Sequence, residues 1–241
     1  QEHTNDVHVH LKLLQCNVQT FNIHKKDEGL EATTTPEKHK KWQQQAADNG
    51  YHIVGIQEGR GLQDGIKTTQ HYHTIRSKAT IARNLGCELW ISKQFNINQK
   101  NYNVQDHQIH VHRLDPRRII ATLATENLQL NLVVIHAPTA ATNEHQLNAW
   151  WNVTTTYITQ LPNQYDTIIF ADINGTLGQI TSTAVSNNTN PQTENYNGTR
   201  FHTLLQQLHL QLPSTYQHQG RHNTWGQERI DFIAIPLHWN N

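Results

Sequence analysis

Six polar residues stand where apolar runs of the sequence stop, and their types form a chemical set. Asn17 closes "LLQCN", Glu58 closes "IVGIQE", His136 closes "LVVIH", Asp172 and Asn174 close "IIFADIN", and Asp231 abuts "FIAIP". Any one of them has a plain explanation, since strands must end somewhere and Asn and Asp favour turns. Three carboxylates, two amides and an imidazole in the same kind of position exceed that explanation. Together they suit a hard, oxygen-preferring cation and a phosphate. Mg²⁺ wants oxygen ligands in octahedral geometry, takes one or two protein carboxylates, and leaves other positions to water and substrate phosphate. The 18 histidines are dispersed, and no Cys-x-x-Cys or His-x-x-x-His set lies near a strand end, which argues against zinc. Neither a Walker-type glycine loop nor a Gly-x-Ser-x-Gly elbow occurs. The reaction class left in front is metal-assisted phosphoester hydrolysis.

Strands and a few helices must bring these residues together. "VHVHLKLLQCNVQTF" alternates and then runs apolar, a strand ending near Asn17. A helix follows, with Thr35 as its cap, Pro36 at its first position, Trp42 and Ala46 on one face, and Gly50 behind its end. "HIVGIQE" is a strand buried on both faces. "GCELWISKQF", "RIIATLAT" and "LQLNLVVIHAP" are further strands. From Asn143 to Leu161 the periodicity is helical, with Leu147, Trp150, Trp151, Thr154, Ile158 and Leu161 on one face and a capping-box pattern of Asn143 with Gln146. "DTIIFADIN" is a strand, and Thr181 to Gly198 reads as a long polar loop. A short helix over Phe201, Leu204, Leu205 and Leu208 leads to "LQLPSTY" and to a last strand, "RIDFIAIP". No linker or repeat interrupts residues 1–241, so one α/β domain is expected.

Composition adds limits. The chain has 241 residues, long enough for a sizeable core, and 35% of them are hydrophobic. Gln, Asn, Thr and His fill the remainder, scattered among apolar runs in the manner of a folded domain. Formal net charge is zero with His neutral, so no global basic field announces a nucleic-acid partner. Local clusters at Lys38, Lys40 and Lys41 and at Arg113, Arg117 and Arg118 are either solvated faces or phosphate contacts. Two cysteines, Cys16 and Cys87, exclude a disulfide framework and suit buried thiols in a reducing compartment. No membrane-spanning run or signal peptide is visible. The chain has no methionine, even at position 1, which points to a processed or excised piece of a longer protein.

The ordered set "LLQCNVQTFN", "IVGIQEGR", "LVVIHAPTA", "IIFADINGTLG" and "RIDFIAIP" resembles the endonuclease/exonuclease/phosphatase superfamily of deoxyribonuclease I-like enzymes, over nearly the whole chain. "GCELWIS", "ENYNG", "LPSTY" and the "TW" ahead of "RID" are most similar to the endonuclease domains of LINE-type retrotransposons. The resemblance implies a four-layer sandwich of two mixed β-sheets flanked by helices. It implies Glu58 as the main ligand of Mg²⁺, or of Mn²⁺ in its place, with Asn17 beside it. Asp172 would orient or deprotonate the attacking water. Asn174 and His136 would contact the scissile phosphate, with Arg60 of "IVGIQEGR" as a further substrate contact. Asp231 would orient a catalytic histidine or a supporting group. DNA would be the substrate, a reverse transcriptase domain would share the polypeptide, and the location would be intracellular, nuclear for a retrotransposon.

One departure stands out. Members of this superfamily finish with a further strand and an Asp-His pair beyond the "RID" motif, so the fold is expected to lack its last strand. His238 follows no Asp and is not a substitute. Two rivals therefore stand beside DNA nicking: a phosphatase or lipid phosphodiesterase on the same fold, and a non-catalytic copy serving as an interaction module.

Overall fold

A computed structural model describes residues 9–18, 35–81, 85–97, 99–187, 191–216, 224 and 229–239. The expectations for residues 1–7, for the side chains of Thr35 and Pro36, and for Trp225 fall outside them. The apolar runs become strands paired into two large sheets. The first holds β1 (Leu13–Asn17), β2 (Ile53–Gln57), β3 (Gly65–Thr68), β4 (Tyr72–Arg76) and β5 (Glu88–Ser92), in the order β1-β2-β5-β4-β3. A separate hairpin of β6 (Gln94–Ile97) and β7 (Lys100–Asn103) follows. The second sheet holds β8 (Ile109–Asp115), β9 (Arg118–Ala124), β10 (Gln129–His136), β11 (Asp166–Asp172), β12 (Leu210–Gln211) and β13 (Asp231–Pro236), in the order β12-β13-β11-β10-β9-β8. Each sheet is mixed: β1 with β2 and β10 with β11 are parallel, and the other pairs are antiparallel.

Alternation along the strands sorts side chains into three cores. On β2, Ile53 points between the sheets, while Val54 and Ile56 join Tyr72, Trp90 and Ala46 beneath α1 (Thr35–Asp48). On β10, Leu130, Leu132 and Val134 face the first sheet. Val133 and Ile135 meet Trp151 and Phe201, which lie on α2 (Glu144–Thr159) and α3 (Tyr196–Gln207). Helix, sheet, sheet and helices thus form four layers, as the resemblance implies. The sheets approach closely at Gly55, where an added Cβ would lie 2.3 Å from Cβ and Cγ of Phe170.

Several elements differ from the sequence reading. "GCELWISKQF" divides into β5 and β6, and β3, β4, β7 and β8 had no clear apolar signal. In "HYHTIR" the buried residues include His73 and Thr74, which are polar but satisfied: His73 Nε2 meets the Val104 carbonyl at 2.9 Å and Thr74 Oγ1 accepts from Gln43 at 2.9 Å. The expected loop from Thr181 to Gly198 ends early, because α3 starts at Tyr196. Asn195 caps it by accepting from Gly198 N at 3.0 Å. Gly198 is required by packing, since a Cβ there would meet the Thr176 carbonyl oxygen at 2.0 Å. At α2, Asn143 caps by accepting from His145 N, and the expected reciprocal bond from Gln146 is not formed. Among the described residues, β1 has no strand on its outer side, and it is half-buried along its length.

Candidate active site

The C-terminal ends of β1, β2, β10 and β11 open onto one mouth between the sheets. The link is Asn17, whose Nδ2 donates to Glu58 Oε1 at 3.1 Å and to Asp172 Oδ2 at 3.2 Å. Glu58 follows β2 with φ of 56°, and Arg60 has φ of 53°. Such left-handed backbone is uncommon outside glycine and concentrates at functional sites. Hydrogen bonds hold this turn, from Gly59 N to Gly86 O and from Arg60 N to Leu85 O, each 3.0 Å. Arg60 Nη2 donates to Glu58 Oε2 at 2.9 Å.

On the second sheet, His136 and Asp172 are register partners, with Nε2 to Oδ2 at 3.6 Å. Asp231 faces Asp172 from β13 and accepts from Gln15 Nε2 at 3.3 Å. Asn174 is also left-handed, with φ of 46°; its N–H donates to Asp172 Oδ1 at 3.1 Å and its Nδ2 to the Ala137 carbonyl at 2.8 Å. All seven residues singled out in the sequence, Asn17, Glu58, Arg60, His136, Asp172, Asn174 and Asp231, therefore meet in one cluster. His238 does not join them. Its Nε2 lies 3.4 Å from Oδ1 of Asp166, at the opposite end of β11 from Asp172.

The residues that hold this cluster were largely invisible in the sequence. Gln57 Nε2 donates to the carbonyls of Ile135 and Phe170, at 3.3 and 3.2 Å, tying the first sheet to the second. Gln15 binds the Ala171 backbone through both amide atoms, at 2.9 and 3.2 Å. Their only signal is a glutamine inside an apolar run. Asn197, 1% exposed, donates to the carbonyls of Pro138 and Asn174 and accepts from Trp151 Nε1, at 2.9, 3.1 and 2.9 Å. It sits in "ENYNG", which reads as loop. Arg117 Nη1 donates to the carbonyls of His136 and Ala137, at 3.1 and 3.0 Å. Arg113 and Arg118 share Asp115 and lie over Tyr157, Arg118 also over Trp150. The arginine cluster is thus committed to the protein's own groups.

Burial shapes the charges. Burial raises the Glu58 pKa, but hydrogen bonds from Asn17 and Arg60, with the Arg60 charge, outweigh it and leave the carboxyl below its ordinary value. Asp172 is pushed up to about 7 by burial and then by the Asp231 charge, against the bonds from Asn174 and Asn17. Burial also raises Asp231. His136 falls to about 4 through burial and the neighbouring Arg117, so its ring is neutral at pH 7. Its Nδ1 is buried without a hydrogen-bond partner among the described residues.

The donor set fits a Mg²⁺ ion held with substrate. Among the described residues no group of three His, Cys, Asp or Glu is placed to hold a metal between them. Glu58 stays charged, and rotating the Asn17 amide about its last bond would exchange Nδ2 for Oδ1 beside the two carboxylates it now bridges. One carboxylate and an amide oxygen, with phosphate and water, suit this ion.

No protein-family model and no curated protein matches the chain. Solved structures do. A 3'-5' exonuclease (NExo) from Neisseria meningitidis superposes with a TM-score of 0.59 at 16% identity, over 94% of this chain and 87% of that one. The endonuclease domain of TRAS1, a telomere-specific non-LTR retrotransposon, gives 0.56 at 15% identity, over 93% and 83%. An AP endonuclease from Archaeoglobus fulgidus gives 0.55 at 13% identity, over 94% and 86%. At these identities the likeness is one of fold. The chain has the deoxyribonuclease I-like fold of the endonuclease/exonuclease/phosphatase proteins. No helix among the described residues is long and apolar enough to cross a membrane.

Proposed function

We propose that the protein hydrolyses phosphodiester bonds in DNA with the help of Mg²⁺, or Mn²⁺ in its place, as the strand-nicking domain of a LINE-type element. The observation that carries this reading is the bridge from Asn17 to Glu58 and Asp172, which places a carboxylate suited to a cation beside a buried carboxylate suited to water. The likeness in fold to the TRAS1 endonuclease domain supports the finer assignment. On that assignment a reverse transcriptase domain shares the polypeptide, and the protein acts in the nucleus.

Glu58 and Asn17 would hold the cation, which supplies charge neutralisation at the scissile phosphate. Asp172 orients the attacking water and accepts its proton. Its position is held by the Asn174 N–H and by Asn17. Asn174 and neutral His136 donate hydrogen bonds to phosphate oxygens, stabilising developing negative charge without adding any. Arg60, paired with Glu58, faces the substrate from the first sheet. Asp231 and Gln15 fix the floor beneath Asp172. A supercoiled-plasmid nicking assay with Mg²⁺, with EDTA, and with Asp172→Ala as a contamination control tests the reading. Folded protein that leaves the plasmid intact in both Mg²⁺ and Mn²⁺, or prefers a lipid phosphodiester or a small phosphomonoester, would defeat it.

A further inference from the structure

Beside the Glu58–Arg60 turn lies a concavity that the chemistry above does not use. A cavity of about 710 Å³ opens between α1, this turn and the β3–β4 hairpin. That volume lies within the roughly 300–1,000 Å³ typical of ligand sites. Gly59 is part of its wall, so it begins one residue from Glu58. Glu88, 2% exposed, lies at its floor. Its Oε2 accepts from Trp90 Nε1 at 2.7 Å and meets His39 Nε2 at 2.7 Å, while Oε1 faces Arg76 Nε at 3.3 Å. This carboxylate is fully engaged and offers no open negative charge.

The rim is different. Lys40 on α1 and Lys67 on β3 both line the cavity and are exposed, and neither has an ion-pair partner among the described residues. The charged lining groups are Lys40, Lys67 and Arg76 against Glu88, three positive and one negative. A surplus of two positive charges therefore stands beside the site in a chain whose net charge is zero. Surplus charge in a cleft attracts the opposite sign. The two lysines come from different elements, α1 and β3, on the rim of a cavity that begins one residue from Glu58, and two separate positive charges there suit the successive phosphates of a polyanion.

We propose that this cavity receives the DNA strand flanking the scissile phosphate, Lys40 and Lys67 each neutralising a backbone phosphate. The inference rests on the DNA-cleaving reading. It also separates the two basic clusters of the sequence: the arginines are internal fixtures, and Lys40 belongs to the substrate path.

The test is fluorescence anisotropy with a short labelled duplex, titrated with salt, on wild type, a Lys40→Gln/Lys67→Gln double variant, and Lys100→Gln. Lys100 lies in the hairpin that follows β5, at the end of the sheet away from Glu58. Each phosphate neutralised contributes about 0.9 to the log-log salt slope. The double variant is expected to bind at least about tenfold more weakly at low salt, with its slope reduced by about 2, while Lys100→Gln matches wild type. Both lysines are exposed, so the melting temperature is expected to hold. A double variant with the wild-type slope overturns the inference and leaves the DNA-cleaving reading intact. Wild type without salt-dependent duplex binding overturns both. Inorganic phosphate binding lost in the double variant, with duplex binding unchanged, assigns the cavity to a free anion and overturns the proposal.

Discussion

The two halves of the site are held by different means. On the second sheet, His136 and Asp172 end strands that are buried nearly throughout; Gln57 holds the strands themselves through the Ile135 and Phe170 carbonyls, and Arg117 and Asn197 hold the loops beyond through theirs. On the first sheet, β1 is half-buried, and Glu58 and Arg60 sit on a left-handed turn beside an open cavity. Groups that must be aimed before the reaction starts belong on a rigid frame, because pre-set dipoles need no reorganisation. Groups that meet a ligand gain from a neighbourhood with room to adjust. On the proposed function, this contrast would give the second sheet the chemistry and the first sheet the reception of the ligand.

The contrast is open to attack by mutation. Glu58→Gln removes the charge without changing size, and calorimetry is expected to show Mg²⁺ binding abolished while the fold persists. Unchanged binding would move the cation away from the first sheet. Asp172→Asn is expected to slow plasmid nicking about a thousandfold, within the roughly 10²–10⁴ that general acid-base groups contribute. Its melting temperature should hold or rise, since the carboxylate removed is buried beside Asp231. A rate within tenfold of wild type would place water activation elsewhere. Asn197→Ala strands the Trp151 N–H and the Asn174 and Pro138 carbonyls, and urea unfolding should show a loss of about 3 kcal/mol, as expected when buried polar groups lose partners. Arg60→Ala on the receptive side breaks a partly exposed pair with Glu58, so its cost should stay under about 1 kcal/mol while duplex binding weakens. Equal losses for these last two would erase the distinction between the halves.

The site was readable in the sequence because a buried strand that stops at a polar side chain leaves a mark: an apolar run with Asn, Asp, Glu or His at its end. The layers were readable because the order of those runs matches a known family pattern. What supports the site left no such mark. Asn197 acts through carbonyls of residues distant in the chain, and a buried asparagine on a helix looks like any loop asparagine until α2 and β11 are packed against it. In β3, β4 and β7 polar residues break the alternation, and β8 alternates only over Ile109–His112 before its register shift between Val111 and Arg113. The basic clusters looked alike because sequence spacing does not reveal that Asp115 pairs with both Arg113 and Arg118.

Gly55 sets the gauge of the whole machine. It lies three residues before Glu58, about 10 Å along the strand, and bears on Phe170, two residues before Asp172. Asn17 spans from Glu58 to Asp172 with bonds of 3.1 and 3.2 Å, and such bonds weaken quickly on stretching. A single methyl at Gly55 would act as a shim between the sheets, 2.3 Å from Phe170 with nowhere to go. The jaw would open at its hinge, and the two carboxylates would part without any residue of the site having been touched.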